Sequence, residues 1–411
     1  MGSVSTNLGY LLDLEVLNLG HNKLGRDLDF LMSLRNYSKL EVLIIAINQF
    51  EGVLPNFIGN LSTQLNALYL EGNQISGTIP IALQNLVNLI LLHLDENLFT
   101  GVIPTYFGKF QKMQGLSLSG NKLSGQIPSS MGNLTQLVKL DLSQNNLEGS
   151  IPPSFGNYRS LQQLDVSQNY LCGVIPQQVF SLFSLLLLLN LSHNSFSGKL
   201  PVELGNMENI KFLDVSENSL FGEIPATIGN LVNLKNLYLQ GNSFEGIIPS
   251  SMASLKGLEL LDVSRNNLLG FIPKGLEKLL ILKYLNISFN DIEGALPTVG
   301  VFKNVNATSI IGNNKLCWGI PQLQLPTCPE VTKSRKSLAS RSRTTTFCVV
   351  ACVLVSSSIV SKMDLLPTIS YKMLHRATNG FSLNNLIGSG SFGSVYKGVL
   401  NQEEMLFAVK S

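Results

Sequence analysis

Residues 137–152 of this 411-residue chain read LVKLDLSQNNLEGSIP, and this stretch decides the fold. Leu140 and Leu142 are two residues apart, so they point to one side of a short extended segment. Asn145 follows, and its side-chain amide can donate and accept hydrogen bonds where the backbone turns. Gly149 permits a tight bend, and the proline that ends the stretch fixes φ and removes a backbone donor. The unit therefore predicts a short strand, a turn and a returning segment.

The same frame recurs along most of the chain. Its asparagines follow one another at intervals of 24 or 25 residues, after a first interval of 26. They are Asn22, Asn48, Asn73, Asn97, Asn121, Asn145, Asn169, Asn194, Asn218, Asn242, Asn266 and Asn290. The sequence Gly-x-Ile-Pro or Gly-x-Leu-Pro follows the asparagine in eleven units, from residues 52–55 to residues 294–297. One unit cannot bury its own leucines, so we predict that consecutive units stack and that their asparagines form a ladder.

The pattern resembles the plant-type leucine-rich repeat, and a bundle of Leu-rich helices is disfavoured because Gly and Pro recur in every unit. The resemblance implies an α/β repeat fold, a right-handed curved solenoid with parallel β-strands on its concave face. We assign residues 1–298 to about 12 repeats of 24–26 residues and residues 299–328 to a C-terminal cap. The resemblance also implies that a disulfide between Cys317 and Cys328 staples this cap over the end of the core. Cys172 stands alone within a repeat, and we expect it to pack as a small residue.

Composition limits the class of partner. The chain is 45% hydrophobic and 14% charged, with a net charge of +2, so it is ordered and lacks the basic excess of a nucleic-acid-binding protein. Its cysteines and histidines have no metal-site spacing, so we predict no metal site. Six Asn-x-Ser/Thr sequons favour an extracellular domain with N-glycosylation, although an Asn- and Ser-rich chain also produces such triplets by chance. The acceptor residues are Asn36, Asn60, Asn133, Asn190, Asn286 and Asn306.

The pattern changes after the cap. Residues 329–343 are rich in Lys, Arg and Ser and predict a basic linker. Residues 344–361 carry no charge and include FCVVACVLV, which predicts a short transmembrane helix. The basic residues precede this segment, an order that would favour repeats on the cytoplasmic side. Residues 1–20 lack the basic start and apolar core of a signal peptide, and we interpret them as the interior of a repeat.

The C-terminal residues have the pattern of a protein kinase. We assign residues 362–383 to a juxtamembrane segment and residues 384–411 to the start of a kinase N-lobe with a Gly-rich loop and a strand lysine. With SYKMLHRATNGFS before it, this segment resembles plant leucine-rich-repeat receptor-like serine/threonine kinases, especially the immune-receptor group. The resemblance implies that ATP binds to Gly388, Gly390, Gly393, Val395, Ala408 and Lys410.

Several kinase motifs are expected to be missing. The sequence ends at Ser411, before the H-R-D base and the D-F-G aspartate that holds Mg²⁺. We therefore predict no catalytic residues and no bound cofactor for this chain, although the family uses ATP and Mg²⁺. We interpret the chain as a receptor-like kinase truncated at both ends.

The strand face offers candidate ligand-binding residues. The residues four and two before each ladder asparagine are most often Asp and Ser, as at Asp141 and Ser143. The departures from this default are Tyr69 with Glu71, His93 with Asp95 and the adjacent Glu96, and Tyr238 with Gln240. Parallel strands stack laterally at about 4.8 Å, so Tyr69 should lie beside His93, and Glu71 beside Asp95. An aromatic residue flanked by acids could bind a basic peptide, whereas the alternative is an ordinary solvated strand face.

These observations converge on one interpretation with alternatives. The family implies a single-pass plasma-membrane receptor whose extracellular repeats bind a peptide or protein ligand, pair with a co-receptor kinase and signal in defence or development. One alternative is the front portion of an active ATP-dependent receptor kinase. Others are a soluble leucine-rich-repeat decoy or inhibitor, and a nonfunctional gene fragment.

Overall fold

The computed structural model describes residues 2, 4, 13–181 and 185–328, apart from the side chains of Arg26, Asn36 and Ser181. It also describes the backbone of three C-terminal strands. Those three strands, Leu386–Gly390, Gly393–Leu400 and Met405–Lys410, form an antiparallel sheet. The rest of the described chain winds into successive coils that build two parallel sheets of 13 strands each.

The first sheet takes one short strand from each coil, in chain order. Its strands are Val16–Asn18, Val42–Ile44, Ala67–Tyr69, Leu91–His93, Gly115–Ser117, Lys139–Asp141, Gln163–Asp165, Leu188–Asn190, Phe212–Asp214, Asn236–Tyr238, Leu260–Asp262, Tyr284–Asn286 and Thr308–Ser309. The first twelve strands have a central leucine that faces the core: Leu140 is fully buried and lies in register with Leu164 of the next coil. Each coil thus covers the apolar row of its neighbour, and one core runs through all of them.

The ladder asparagines close the turn after each strand. The side-chain amide of Asn145 donates to the carbonyl oxygens of Leu118, Leu142 and Ser143, at 2.9–3.2 Å, while its carbonyl oxygen accepts from the Leu123 N–H at 3.0 Å. Two of these partners belong to the preceding coil, so each asparagine joins neighbouring coils. Without this asparagine, the Leu123 N–H would be buried without an acceptor, which is costly.

The asparagine ladder includes one coil more than the twelve that the sequence predicts. Asn313 donates to the Ile287 and Ile310 carbonyls and accepts from the Ile292 N–H, within the segment assigned to the cap. The last strand of each sheet also lies beyond residue 298. The cap therefore begins as a thirteenth coil, and its end is held by a disulfide between Cys317 and Cys328 with a Cα–Cα distance of 4.9 Å.

The residue before a ladder asparagine turns the chain by adopting a left-handed backbone. Gln144 has φ of 54° and Glu96 has φ of 51°, whereas other coils place glycine there, as at Gly120. A second sheet, absent from the sequence interpretation, begins directly after the turn. Its strands are Gly25–Arg26, Gln49–Val53, Gln74–Thr78, Leu98–Val102, Lys122–Gln126, Asn146–Gly149, Tyr170–Val174, Ser195–Gly198, Ser219–Glu223, Ser243–Gly246, Asn267–Phe271, Asp291–Ala295 and Lys315–Cys317.

Short helices return the chain to the next coil. The repeat prolines precede most of them, as Pro152 does with φ of −63°, which suits the extended residue before a 3-10 turn. The 3-10 helices are Asp29–Asn36, Asn56–Asn60, Ile81–Asn85, Thr105–Lys109, Ser129–Asn133, Pro153–Asn157, Val202–Asn206, Ala226–Asn230, Ser250–Ser254, Lys274–Lys278, Gly300–Lys303 and Pro321–Leu323, with an α-helix at Gln177–Ser181. Adjacent helices approach so closely that a Cβ on Gly132 would lie 2.4 Å from the Ser154 carbonyl oxygen.

The expectation for Cys172 is wrong. Leu171 points into the core, so Cys172, the next residue of the strand, points outward and is exposed. No helix among the described residues is both long and apolar enough to cross a membrane. The predicted transmembrane segment, residues 344–361, lies outside the described residues, as do the linker and the juxtamembrane segment.

Candidate ligand-binding face of the first sheet

The first sheet has an open face that points away from the core. Residues four and two before each ladder asparagine occupy it, and we call these the −4 row and the −2 row. In a default coil the two residues satisfy each other: Asp141 Oδ1 accepts from the Ser143 N–H at 3.1 Å and from its hydroxyl at 2.7 Å. Asp165, Asp214 and Asp262 bind the serine two residues later in the same way.

Three coils place an asparagine in the −4 row, at Asn18, Asn190 and Asn286, and the last two are sequon residues. Asn190 accepts from Ser192 as an aspartate would, while its amide donates to Asp165 Oδ2 at 3.0 Å. Asn286 repeats this arrangement and donates to Asp262 Oδ2 at 2.9 Å. These two sequon residues therefore use their amides within the open face, whereas Asn60, Asn133 and Asn306 are exposed away from it. The side chain of Asn36 lies outside the described residues.

Tyr69, Glu71, His93 and Asp95 form a group that we call the N-terminal cluster. Tyr69 lies in register with His93 on the adjacent strand, and their ring centroids are 4.9 Å apart with planes tilted by 49°. His93 Nδ1 is 3.8 Å from Asp95 Oδ1. Glu71 and Asp95 stand where most other coils have serine, and Glu71 Oε2 and Asp95 Oδ1 are buried without a hydrogen-bond partner. The cluster thus combines an aromatic pair with two carboxylates that the default Asp–Ser arrangement does not satisfy.

Burial perturbs the ionisable groups of this cluster. It raises the pKa of Glu71 to about 7, and the negative charges of Asp95 and Glu96 add to the effect. It also raises the pKa of Asp95 above its ordinary value. The pKa of His93 falls to about 4, because burial and the positive charge of Lys139 outweigh the attraction of Asp141. His93 is therefore neutral at pH 7, and its contact with Asp95 is not an ion pair there.

The remaining predicted residues lie at a distance from the N-terminal cluster or at its rim. Glu96 occupies the left-handed position at the rim, beside Gly120 of the next coil. Tyr238 and Gln240 lie six strands further along the sheet, where Tyr238 packs on Phe212 with ring centroids 5.6 Å apart. The sequence interpretation did not include Phe212, because it considered only the −4 and −2 rows. Gln240 Oε1, like the two carboxylate oxygens, is buried without a partner.

The residues implied in ATP binding fall on the three C-terminal strands. Gly388 and Gly390 lie on the first strand, and Gly390 is in register with Gly393 on the second. The third strand carries Ala408, and it brings Lys410 into register with Val395. ATP binding at these residues stays a prediction.

Sequence families with the description leucine rich repeat match this chain. One matches residues 88–147, 112–171 and 232–292, and a second matches residues 64–86, 185–207 and 209–231. With small gaps these matches run through more than half of the chain. The chain therefore belongs to the leucine-rich-repeat family, which confirms the predicted class of fold.

Individual relatives of the chain indicate a narrower group within the leucine-rich-repeat family. Receptor kinase-like protein Xa21 of Oryza sativa subsp. japonica is 39% identical over 120 residues, which are 26% of this chain and 12% of the relative. The LRR ectodomain of the plant membrane receptor kinase GASSHO1/SCHENGEN3 from Arabidopsis thaliana, in complex with CASPARIAN STRIP INTEGRITY FACTOR 2, is 35% identical with a TM-score of 0.73. That match covers 80% of this chain and 41% of the solved one.

The plant peptide hormone receptor RGFR1 in complex with RGF2 is 31% identical with a TM-score of 0.66, over 72% of this chain and 50% of the solved one. The chain is thus a leucine-rich-repeat protein of the plant receptor-like kinase group. It spans half or less of the length of each of these relatives.

Proposed function

We propose that the repeats bind a peptide or small protein on the open face of the first sheet, as the extracellular part of a plasma-membrane receptor-like kinase. The observation that carries the proposal is the pair of buried, unpartnered carboxylate oxygens of Glu71 and Asp95 beside the Tyr69–His93 pair. Buried polar atoms normally have partners, so an oxygen without one is a candidate contact for a ligand. Two solved structures similar to this chain, the GASSHO1/SCHENGEN3 ectodomain and the receptor RGFR1, are complexes with CASPARIAN STRIP INTEGRITY FACTOR 2 and with RGF2.

The distribution of satisfied polar groups supports the location. In default coils, Asp and Ser of the −4 and −2 rows bind each other and leave little for a ligand to satisfy. The aromatic rings of the −4 row, those of Tyr69, His93 and Tyr238, lie in coils that depart from the default. Aromatic side chains supply large contact areas at low cost in conformational entropy, so they are common at sites that bind peptides. A ligand-binding surface of this kind needs no catalytic residues.

The finer properties of the receptor follow from the family. We propose that signalling passes through a serine/threonine kinase, that a co-receptor kinase joins the complex, and that the pathway serves defence or development. The exposed sequons at Asn60, Asn133 and Asn306 and the segment 344–361 support an extracellular location of the repeats in a single-pass membrane protein.

A blocking experiment tests the binding face. A random peptide library displayed on phage is selected against the full chain, and the recovered peptides are measured against two double variants. One places arginines on the open face, Gln163→Arg with Asn236→Arg. The control places them at the second sheet, Gln126→Arg at the end of one strand and Ser150→Arg directly after the next strand. We expect the first to weaken binding at least tenfold and the second to leave it within twofold. Equal binding by both variants, or loss only in the control, would contradict the proposal.

A further inference from the structure

A second cluster on the open face repeats the chemistry of the first. Tyr238 lies in register between Asp214 on one neighbouring strand and Asp262 on the other. Its ring packs on Phe212, with planes tilted by 47°. We call Phe212, Asp214, Tyr238 and Asp262 the C-terminal cluster. An aromatic ring flanked by two carboxylates attracts a cation both by charge and through the ring face.

The surface between the clusters is also acidic. Asp141 and Asp165 lie in register on adjacent strands, and Asn190 separates Asp165 from Asp214. Through the coils from Tyr69 to Ser288, the −4 and −2 rows contain six carboxylates and no Lys or Arg. The four aspartates of the −4 row make no ion pair with Lys or Arg among the described residues. Lys139 is the basic residue on the neighbouring row of the face, two residues before Asp141.

We infer that the open face takes an extended basic peptide whose two cationic side chains, about nine residues apart, occupy the N-terminal and C-terminal clusters. The inference rests on the proposed function and adds the class of ligand. Six strand spacings of about 4.8 Å separate His93 from Tyr238, which is about 29 Å. An extended chain advances about 3.3 Å per residue, so nine residues span that distance. Basic residues between the two ends would face Asp141 and Asp165.

The ionisation of the face predicts how binding depends on pH. Burial and the neighbouring Asp141 raise the pKa of Asp165 to about 6, and the pKa of Glu71 is about 7. Lys139 and Asp141 precede Asp165 on the adjacent strand and Asn190 follows it, while Glu71 faces Tyr69, His93, Asp95 and Glu96. The charged carboxylates bind the cation, so affinity is highest above pH 7 and falls as protonation removes their charge. His93 stays neutral down to about pH 4 and adds no repulsion in that range.

A series of synthetic peptides tests the spacing. Each carries two arginines joined by 2, 5, 8 or 12 prolines, because proline runs form semi-rigid polyproline II helices that advance about 3.1 Å per residue. Calorimetry with the full chain at pH 7.5 should give the tightest binding for 8 prolines, at least tenfold tighter than for 2 prolines or for a single arginine. Glutamate-pair peptides of equal length should not bind, and the best peptide should bind at least tenfold more weakly at pH 5.5.

Variants separate the contributions of the two clusters. Tyr238→Leu with Asp214→Asn should abolish the preference for 8 prolines, and so should Tyr69→Leu with Asp95→Asn. Tyr170→Leu removes an exposed tyrosine of the second sheet and should change nothing. Library peptides that bind the open face without basic residues would refute this inference and leave the proposed function intact. Arginine pairs that bind with no optimum in spacing would also refute it, and the absence of any open-face ligand would refute both.

Discussion

The asparagine ladder predicts a large loss of stability for Asn145→Ala. The side chain is buried and makes four hydrogen bonds. The three carbonyl oxygens that it contacts keep other donors: the amides of Asn121 and Asn169 for two of them, and a backbone N–H for the third. The Leu123 N–H keeps none and is left buried without an acceptor, which costs about 1–3 kcal/mol. With the bonds lost at the carbonyls and the small cavity, we expect a loss of about 2–4 kcal/mol.

Asn22→Ala is the matched control. Asn22 starts the ladder, and within the part of the chain that the structure describes its amide donates to the Leu19 and Gly20 carbonyls of its own coil. Its loss leaves no backbone N–H of the described residues without an acceptor, so we expect a cost of about 0.5–1 kcal/mol. Guanidinium unfolding of the full chain, followed by circular dichroism, measures both variants, and hydrogen exchange should show faster exchange at Leu123 in Asn145→Ala only. Equal stability of the two variants, or unchanged exchange at Leu123, would refute the role assigned to the ladder.

Three further substitutions, two of them with a matched control, test the packing and charge of the coils by chemical denaturation. Asp165→Asn should stabilise the protein by about 1 kcal/mol at pH 8 and by nothing near pH 4. The raised pKa means that the native aspartate binds a proton more tightly than the unfolded one, so the contribution of Asp165 to stability falls as pH rises from about 4 to 6. The lost hydrogen bond from Asn190 offsets part of the stability that the substitution gains. Gln144→Gly should stabilise by about 0.5 kcal/mol because φ is positive there, whereas Asn146→Gly, in a strand, should destabilise by about as much. Gly132→Ala should cost at least about 2 kcal/mol because adjacent helices touch at that residue, and Gly257→Ala, whose new Cβ would meet nothing closer than 3.5 Å, should cost less than about 0.5 kcal/mol.

Most of the repeat architecture could be predicted from sequence because one physical constraint recurs in every coil. Leucines two residues apart, an asparagine and a Gly-x-Ile-Pro end define the coil without reference to distant residues. Asn313 was not predicted as a ladder asparagine because its coil is shortened to 23 residues and lacks the Gly-x-Ile-Pro end. The second sheet was not predicted from the sequence because its strands are short and begin directly at the turn.

The sequence predicts which residues of the candidate site are neighbours, but it does not predict their hydrogen bonding or their pKa values. The register of parallel strands places Tyr69 beside His93, and sequence alone determines that neighbour. The loss of hydrogen-bond partners at Glu71 and the shift in its pKa depend on burial by side chains from several coils. The contact between Phe212 and Tyr238 joins two different rows of the face, and a row-by-row comparison of residues does not reveal it.

Carboxylate footprinting tests the central claim most directly, because the ligand is proposed to cover acids on the open face. The full chain is labelled with carbodiimide and glycine ethyl ester, with and without a peptide selected from the library, and labelling is measured at each residue by mass spectrometry. We predict that the peptide protects Asp165 and Asp214 at least threefold, while Glu148 and Glu245, exposed on the second sheet, label equally in both samples. Protection of Glu148 and Glu245 with unchanged labelling of Asp165 and Asp214 would contradict a ligand on the open face.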